Sequence, residues 1–566
     1  MITDDKTTQY LIAMLKAYKI NKIVASPGMQ NAGFNLIVQD DSFFECHSVI
    51  DERSAAYIAS GMAYETNEPV VITCTGATAS RNYLSAMTEA YYRKLPIIAI
   101  TFTHYGNKFN LEPQYVDRSI IQNDIKAISV DLPIINNDYD KNKCLIYLNA
   151  ALSKAVYNKV PVHINVTNKH GTMTFNTKEL PSDIWTTKVY DYSNIATCFE
   201  ELKNKNVALL IGSHKKFSDF ELNTIQNFVV KYNIPVFCDH TSNYKGKNKI
   251  LITHVSSMKK LDTKPDLIID IGEITGEYST PILFKKAKVW RVANDFEYKC
   301  RYGIPVEKIF NMSESLFFES LNKSSFGNNC NYYKTVYNSI KNIKIPEDLP
   351  LSNALVCKCL SEKMPKNSSL HLSILNSLRN MNFFNLDNSI DVNCNVGGFG
   401  IDGPLSTLVG QSFVNKNKKY FGLIGDLAFF YDMNALGIKE ISNNLRIILV
   451  NNSRGEEFRL NPQLEEVHHN KTDFLVAAQG HNKGGAGGWA ESCGFIYMNA
   501  KTRDEFLNKI NEFFDKDCDK PVLFEVITND NDEKEALRKM KTYNKRKKNI
   551  LDILSKTKEM FKDEKN

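Results

Sequence analysis

Short apolar runs alternate with helical patterns along most of this 566-residue chain. In the first block, about residues 1–180, four runs predict buried strands: Lys22–Ser26, Val70–Thr75, Pro96–Thr101 and Val160–Val166. Between these runs, Arg53–Glu65 and Ser80–Arg93 carry apolar residues at helical spacing. Such alternation is typical of a parallel sheet covered by helices.

The same alternation returns twice. A central block, about residues 190–335, has the strand candidates Val207–Ile211, Val236–Cys238, Leu267–Ile271 and Val289–Val292. A third block has the candidates Ser369–Leu372, Tyr420–Ile424, Arg446–Val450 and Val522–Ile527, and ends in a charged helix. Asn322–Pro350, rich in Asn, Ser and Lys, predicts a linker. The sequence therefore predicts an α/β protein of three doubly wound parallel-sheet domains, spanning residues 1–180, 190–335 and 345–566.

Composition excludes several classes of function. The formal net charge of +6 is small for this length, so we expect no nucleic-acid partner. The first ten residues are polar, and no apolar run reaches the roughly 20 residues of a membrane span. The 12 cysteines are scattered and lack zinc spacing. These features predict a cytoplasmic protein with reduced thiols and no membrane partner.

Candidate chemistry lies at the ends of two strands in the third block. Gly425-Asp426-Leu427 directly follows one apolar run, and Asn451-Asn452 directly follows the next. Open α/β sheets bind ligands at the carboxyl ends of their strands. Asp426, Asn452 and the carbonyl of Arg454 offer the oxygen ligands that Mg²⁺ prefers, with phosphate and water completing its octahedron. The alternative is a plain strand–turn–helix with a capping aspartate.

These residues resemble the cofactor motif of the thiamine-diphosphate (ThDP)-dependent decarboxylase and acetolactate synthase superfamily. The usual third residue of that motif is Gly, and Leu427 in its place resembles the menaquinone-pathway branch, MenD. The stretches Gly425–Leu436 and Gly398–Thr407 are similar to that branch almost residue for residue, and Asp51–Ala63 resembles its pyrimidine-binding domain. The resemblance implies the three-domain fold of ThDP-dependent enzymes, with ThDP and Mg²⁺ as cofactors.

The resemblance also implies the roles of individual residues. It places the metal on Asp426, Asn452 and Arg454. It places the cofactor against a larger set: Gly398, Gly400, Gly425, Asp426, Leu427, Ala428, Asn452, Gly455 and Phe458.

Glu52 is the catalytic residue that the resemblance implies. In the family this glutamate hydrogen-bonds the aminopyrimidine ring and favours the imino form that removes the cofactor's C2 proton. The alternative is that Glu52 pairs with Arg53 or another base on the first turn of a helix. In the superfamily the glutamate and the metal motif come from different subunits, so we expect a homodimer or homotetramer with the active site between subunits.

The substrate pocket departs from the MenD pattern. That branch holds two anionic substrates, 2-oxoglutarate and isochorismate, with arginines, a task to which guanidinium groups are suited. Here Met29-Gln30, Thr103-His104 and Val396 stand where the branch has arginines. Three lost cations cost a dianionic substrate several kcal/mol, at about 1.5–3 kcal/mol per charged contact.

The sequence therefore predicts an enzyme that decarboxylates a 2-oxo acid and transfers the acyl carbanion to an acceptor, with isochorismate not the acceptor. The substrate candidates are Gln30, His104, Arg379 and Lys483. Lys483 lies in the glycine-rich stretch Gly480–Gly488, which predicts a mobile lid or an ordinary surface loop. The alternatives are the authentic MenD reaction, a simple 2-oxo acid decarboxylase and a non-catalytic ThDP-binding paralogue.

Overall fold

The apolar runs of the sequence form the interior strands of three six-stranded sheets. The computed structural model describes residues 2–104, 122–168, 173–186, 196–257, 263–277, 280, 287–294, 306–310, 312–324, 331–455, 485–515 and 518–543. The prediction of an α/β protein with three parallel sheets is confirmed.

The first sheet has the order β2-β1-β3-β4-β6-β5. Its strands are β1 (Lys22–Ala25), β2 (Glu45–Ser48), β3 (Val70–Thr75), β4 (Ile97–His104), β5 (Ile128–Leu132) and β6 (Val162–Asn168). The second sheet has the order β12-β11-β10-β7-β8-β9. Its strands are β7 (Val207–Ile211), β8 (Val236–Cys238), β9 (Lys249–Leu251), β10 (Leu267–Ile271), β11 (Lys288–Val292) and β12 (Val306–Phe310).

The third sheet has the order β14-β13-β15-β16-β18-β17. Its strands are β13 (Ser369–Leu372), β14 (Asp391–Cys394), β15 (Tyr420–Gly425), β16 (Leu445–Asn451), β17 (Ile496–Ala500) and β18 (Val522–Ile527). The strands of each sheet run parallel, so their carboxyl ends lie along a single edge.

Helices lie between the strands along the chain. Those before the third sheet are α1 (Lys6–Ala17), α2 (Ala32–Asp40), α3 (Glu52–Thr66), α4 (Thr78–Asn82), α5 (Leu84–Arg93), α6 (Asp138–Ser153), α7 (Asp219–Lys231), α8 (Ile252–Ser257), α9 (Glu314–Lys323), α10 (Tyr332–Ile340) and α11 (Asn353–Lys363). The later ones are α12 (Asn376–Met381), α13 (Pro404–Val414), α14 (Asp426–Tyr431), α15 (Ala486–Ser492) and α16 (Arg503–Phe513), and residues 530–543 are also helical.

Helix α3 is held at both ends by local interactions. Asp51 caps its first turn, accepting hydrogen bonds from the amides of Arg53 and Ser54 at 3.0 and 3.3 Å. Asn67 closes the helix with a left-handed φ of 56°. Most of the helix is buried, and it packs along α13. The residue that begins α3, Glu52, is therefore carried on a well-fixed element.

Four details differ from the sequence predictions. The proposed linker Asn322–Pro350 contains helix α10, whose residues Tyr332 and Val336 are buried. The single helix predicted over Ser80–Arg93 is divided at Tyr83 into α4 and α5. The helix expected near Ala428 begins two residues earlier, at Asp426. The last residues of Gly480–Gly488 open helix α15 and are not loop, whereas residues 480–484 lie outside the described part.

The chain divides into two compact units. One consists of residues 1–190, 395–422 and 428–446, and the other of residues 191–394, 423–427 and 447–566. The division into three domains at the predicted boundaries stays a prediction. In the part of the chain that the structure describes, no helix combines the length and the apolar character needed to cross a membrane.

Candidate active site

Two side-chain oxygens converge at the carboxyl edge of the third sheet. Asp426 follows β15 and Asn452 follows β16, the neighbouring strand. The backbone amide of Arg454 donates to both, at 3.0 Å to Asp426 Oδ2 and 3.1 Å to Asn452 Oδ1. Because one N–H reaches both oxygens, the carboxylate and the amide face the same small space.

Asp426 is also a helix-capping residue, as the alternative interpretation supposed. Its Oδ1 accepts a hydrogen bond of 2.8 Å from the amide of Leu427 in the first turn of α14. Each carboxylate oxygen thus accepts from at least one N–H donor, and a carboxylate has about four lone-pair positions in all. Asp426 is only 4% exposed, and a carboxylate in such a nearly dry environment is typically paired with a cation or bound to a metal. Capping and metal binding are therefore compatible.

Buried polar contacts fix the turn that carries Asn452 and Arg454. Asn451 is fully buried and donates from Nδ2 to Glu525 Oε1 of β18 at 2.6 Å, while its own Oδ1 accepts from the amide of Ser453. The guanidinium of Arg454 forms an ion pair with Asp530 at 2.7 Å. These contacts hold the Arg454 side chain against Asp530 and so fix the turn beside the two metal-facing oxygens.

The residues present fit a divalent cation and a diphosphate. The donor set consists of one carboxylate and one amide oxygen, which is typical of Mg²⁺ sites completed by phosphate and water. A Cβ built on Gly425 would meet no described atom within 4 Å, so the space beside the strand end is open. Gly455 lies just beyond Arg454 and is partly buried, whereas Phe458 falls outside the described residues.

Glu52 begins α3 at the carboxyl edge of the first sheet, four residues after the end of β2. Among the described residues its carboxylate has neither an ion pair nor a hydrogen bond, so the alternative of a Glu52–Arg53 pair is wrong. Arg53 instead contacts Asp51 and Asp432, at 3.6 and 3.9 Å. Burial raises the pKa of the Cys74 thiol in β3, and the Glu52 charge contributes to the same shift.

Two substrate candidates, Gln30 and His104, lie near each other at the carboxyl edge of the first sheet. His104 ends β4 and stands opposite Asn168 of β6. Asn168 Nδ2 donates to the carbonyl of Gln30 at 2.6 Å. Gln30 is only 5% exposed, however, while the preceding Met29 is 78% exposed, so Met29 is the more accessible of the two. Asn168 was not among the sequence candidates, and Met29 was named only beside Gln30, where the MenD pattern has an arginine.

The other two substrate candidates are in different places. Arg379 lies in the last turn of α12, the helix after β13, and β13 neighbours β15 in the third sheet. Lys483 lies outside the described residues. Leu375, which precedes α12, has a left-handed φ of 69°, a conformation that a leucine adopts only at a cost.

An exposed cation, Arg81, was missed by sequence reasoning. It lies on α4, which follows β3 at the carboxyl edge of the first sheet, and its Nη1 donates to Ser80 Oγ at 3.1 Å. The only signal for it was a basic residue near the start of the predicted helix Ser80–Arg93.

Comparisons with known proteins identify the family of the chain. Residues 5–126 match the family described as thiamine pyrophosphate enzyme, N-terminal TPP binding domain. The 2-succinyl-5-enolpyruvyl-6-hydroxy-3-cyclohexene-1-carboxylate synthase of Bacteroides fragilis is 30% identical over 564 residues, covering 95% of this chain and 99% of the relative. This chain belongs to that synthase family. The family member from Phocaeicola vulgatus is 30% identical over 95% of the chain and 98% of its own length. The one from Staphylococcus aureus strain MRSA252 is 26% identical over 92% and 93%.

Membership in the synthase family confirms the resemblance on which the sequence analysis relied. The chain is a thiamine-diphosphate enzyme, and the match to family members runs through all three sheets. The roles assigned to individual residues, Glu52 and Asp426 included, stay predictions.

Proposed function

We propose that this chain is a ThDP- and Mg²⁺-dependent enzyme that decarboxylates a 2-oxo acid and transfers the remaining acyl unit to an acceptor. The observation that carries the proposal is the convergence of Asp426 Oδ2 and Asn452 Oδ1 on one backbone amide beside the open space at Gly425. When bound, ThDP supplies the carbon nucleophile and the electron sink that decarboxylation needs.

The protein's own residues bind and orient the cofactor and hold a proton. Asp426, Asn452 and the carbonyl of Arg454 would hold Mg²⁺, whose charge would offset that of the diphosphate. The Glu52 carboxylate, which has no ion pair or hydrogen bond among the described residues, would accept a hydrogen bond from the aminopyrimidine ring and so favour the form of the ring that takes up the C2 proton. In the assembly that we propose, a homo-oligomer, Glu52 serves the metal motif of the partner subunit.

For the donor substrate we propose a 2-oxo acid with a single carboxylate, such as pyruvate. The positions that carry arginines in the MenD pattern here carry Gln30, His104 and Val396, and Arg81 is an exposed cation at the same sheet edge as Glu52. One guanidinium suits one carboxylate, to which it binds through two parallel hydrogen bonds. An uncommon acceptor, for example a sugar or an aldehyde, fits this less cationic pocket better than isochorismate.

The second candidate is the reaction for which the relatives are named, synthesis of 2-succinyl-5-enolpyruvyl-6-hydroxy-3-cyclohexene-1-carboxylate. Identity of 30% over nearly the full length of two relatives favours it. In that case Arg379 and Lys483 are the basic residues available to replace the missing arginines.

CO₂ release from a panel of 2-oxo acids, with ThDP and Mg²⁺ supplied and Glu52→Gln as the blank, tests the proposal. Release from pyruvate or another monoacid, absent in the blank, is the expected result. Release from 2-oxoglutarate alone would favour the second candidate. Tight ThDP binding without CO₂ from any acid would refute both and leave a cofactor-binding paralogue.

A further inference from the structure

The segment Gly397–Gly403 lies in direct contact with helices α3 and α5. A Cβ added at Gly397 would lie 2.6 Å from the carbonyl oxygen of Glu89, and one at Gly403 would lie 2.1 Å from the ring of Tyr57. Both distances are shorter than any real Cβ contact, so the backbone itself forms this interface. Two charged side chains from the helices bind the segment, one near each end.

Glu89 of α5 binds the first end. It is 1% exposed, and its Oε2 accepts a hydrogen bond from the backbone amide of Gly398. Its other oxygen lies 3.7 Å from the guanidinium of Arg93, one turn further along α5. Arg93 is itself buried, with its guanidinium 4.9 Å from the centre of the Tyr64 ring. A buried carboxylate needs such partners, because an uncompensated one costs several kcal/mol.

Arg53 of α3 binds the other end. Its Nη1 donates to the carbonyl of Asp402 at 2.9 Å, and its Nη2 donates to the carbonyl of Tyr431 at 3.1 Å. Asp432, fully buried, lies 3.9 Å from the same guanidinium. Arg53 directly follows Glu52, so the residue next to the proposed catalytic carboxylate is tied to the segment.

We propose that Glu89 and Arg53 are positioning residues that hold Gly397–Gly403 against helix α3 and so fix the helix that bears Glu52. This inference rests on the proposed function, because it supposes that Glu52 binds the aminopyrimidine ring of ThDP. Neither residue touches the substrate or the reacting atoms. Each acts through the backbone that it binds.

The Glu89 contact is expected to depend on pH. Burial raises the pKa of the Glu89 carboxyl to about 7, against the opposing effects of Arg93 and the amides of Gly398 and Gly397. The other groups that face it are Asp402 of the segment, which raises the pKa further, and the phenol of Tyr57 on α3. The ionised carboxylate accepts the Gly398 N–H more strongly than the neutral acid does. Cofactor affinity should therefore rise as the pH passes upward through about 7.

The test measures the dissociation constant of ThDP at saturating Mg²⁺, and CO₂ release, from pH 6 to pH 9. Glu89→Gln and Arg53→Lys are compared with Glu65→Gln. Glu65 is a matched control because it is another glutamate with a largely buried side chain, in the last turn of α3, where it pairs with Lys418 at 3.3 Å. Glu89→Gln should weaken ThDP binding about tenfold above pH 7 and remove the dependence on pH near 7. Arg53→Lys should weaken binding similarly, without removing the pH dependence.

A merely structural role predicts a different pattern. All three variants would then melt at lower temperature, while ThDP affinity and its pH profile would match the wild type in each, and that result would overturn the inference. Wild-type protein that binds no ThDP would instead refute the proposed function, so the two failures are distinguishable. If Glu89→Gln does not fold, an Arg53→Lys variant with wild-type ThDP affinity is sufficient to reject the proposal.

Discussion

Helices α3 and α13 approach each other through two glycines, and this approach gives a sharp prediction for Gly61→Ala. A Cβ added at Gly61 would lie 2.1 Å from the carbonyl oxygen of Thr407, and one at Gly410 would lie 2.1 Å from that of Ile58. Ordinary contacts of a Cβ begin at 3.4 Å, so the alanine must push the helices apart by roughly 1.3 Å or distort one of them. Both groups belong to secondary structure and cannot rotate away.

Two opposing effects determine the stability of Gly61→Ala. Replacing glycine by alanine inside a helix normally stabilises a protein by up to about 1 kcal/mol, since alanine has the better helix propensity. Overpacking a core typically costs about 1–3 kcal/mol and occasionally more. Because the added Cβ would meet the backbone of the facing helix, the cost of overpacking belongs at the upper end of that range. The net effect is a loss of stability of about 2 kcal/mol. At about 2–4 °C per kcal/mol for a large domain, the melting temperature should fall by about 4–8 °C.

Thermal melting followed by circular dichroism measures this change, with Gly488→Ala as the matched control. Gly488 also lies inside a helix, α15, but is exposed, and an added Cβ there would meet no described atom within 4 Å. The control should therefore be neutral or melt slightly higher. Because Glu52 begins α3, Gly61→Ala should also weaken ThDP binding, whereas Gly488→Ala should not.

An unchanged melting temperature for Gly61→Ala would refute the reasoning. It would mean that α3 and α13 do not cross at the distance that the structure shows. A fall of the same size in both variants would show that the loss comes from the helix backbone and not from the crossing.

Three further predictions concern charge. Asp426→Ala should weaken Mg²⁺-dependent ThDP binding by at least about 100-fold in a fluorescence titration, and retained affinity would place the metal elsewhere. Burial raises the pKa of Asp432 from 3.8 to about 7, so the folded chain keeps a proton there that the unfolded chain releases, and the stability from this group falls as the pH rises from about 4 to 7. Asp432→Asn cannot titrate, so its free energy of unfolding relative to the wild type should increase over that range by up to roughly 4 kcal/mol. Melting temperatures measured across the range check this, and a difference that stays constant with pH would contradict the raised pKa of Asp432. Arg81→Gln should raise the KM for the 2-oxo acid about tenfold at similar kcat, while Arg538→Gln, an exposed arginine paired with Glu535, should change neither.

How far the sequence determined the fold can be judged from the strands. Each interior strand, such as β3 or β15, was visible as a continuous apolar run, because helices and neighbouring strands cover it on all sides. The six strands that the sequence pattern missed, β2, β5, β9, β12, β14 and β17, are the edge strands of the three sheets. In β2, three of the four residues are exposed, so the local sequence has no apolar run to reveal it.

The features of the candidate site can also be divided into those that the sequence revealed and those that it did not. The sequence by itself determined the family and the two motifs at strand ends, because a Gly-Asp and an Asn-Asn after apolar runs are local patterns. It did not reveal the contacts of Glu89 with Gly398 or of Arg53 with Asp402, which join residues 309 and 349 positions apart. Nor did it show that Glu52 forms no ion pair with the adjacent Arg53. Only the tertiary structure decided these, because burial and the packing of distant helices, and not sequence neighbours, select the partner of each charge.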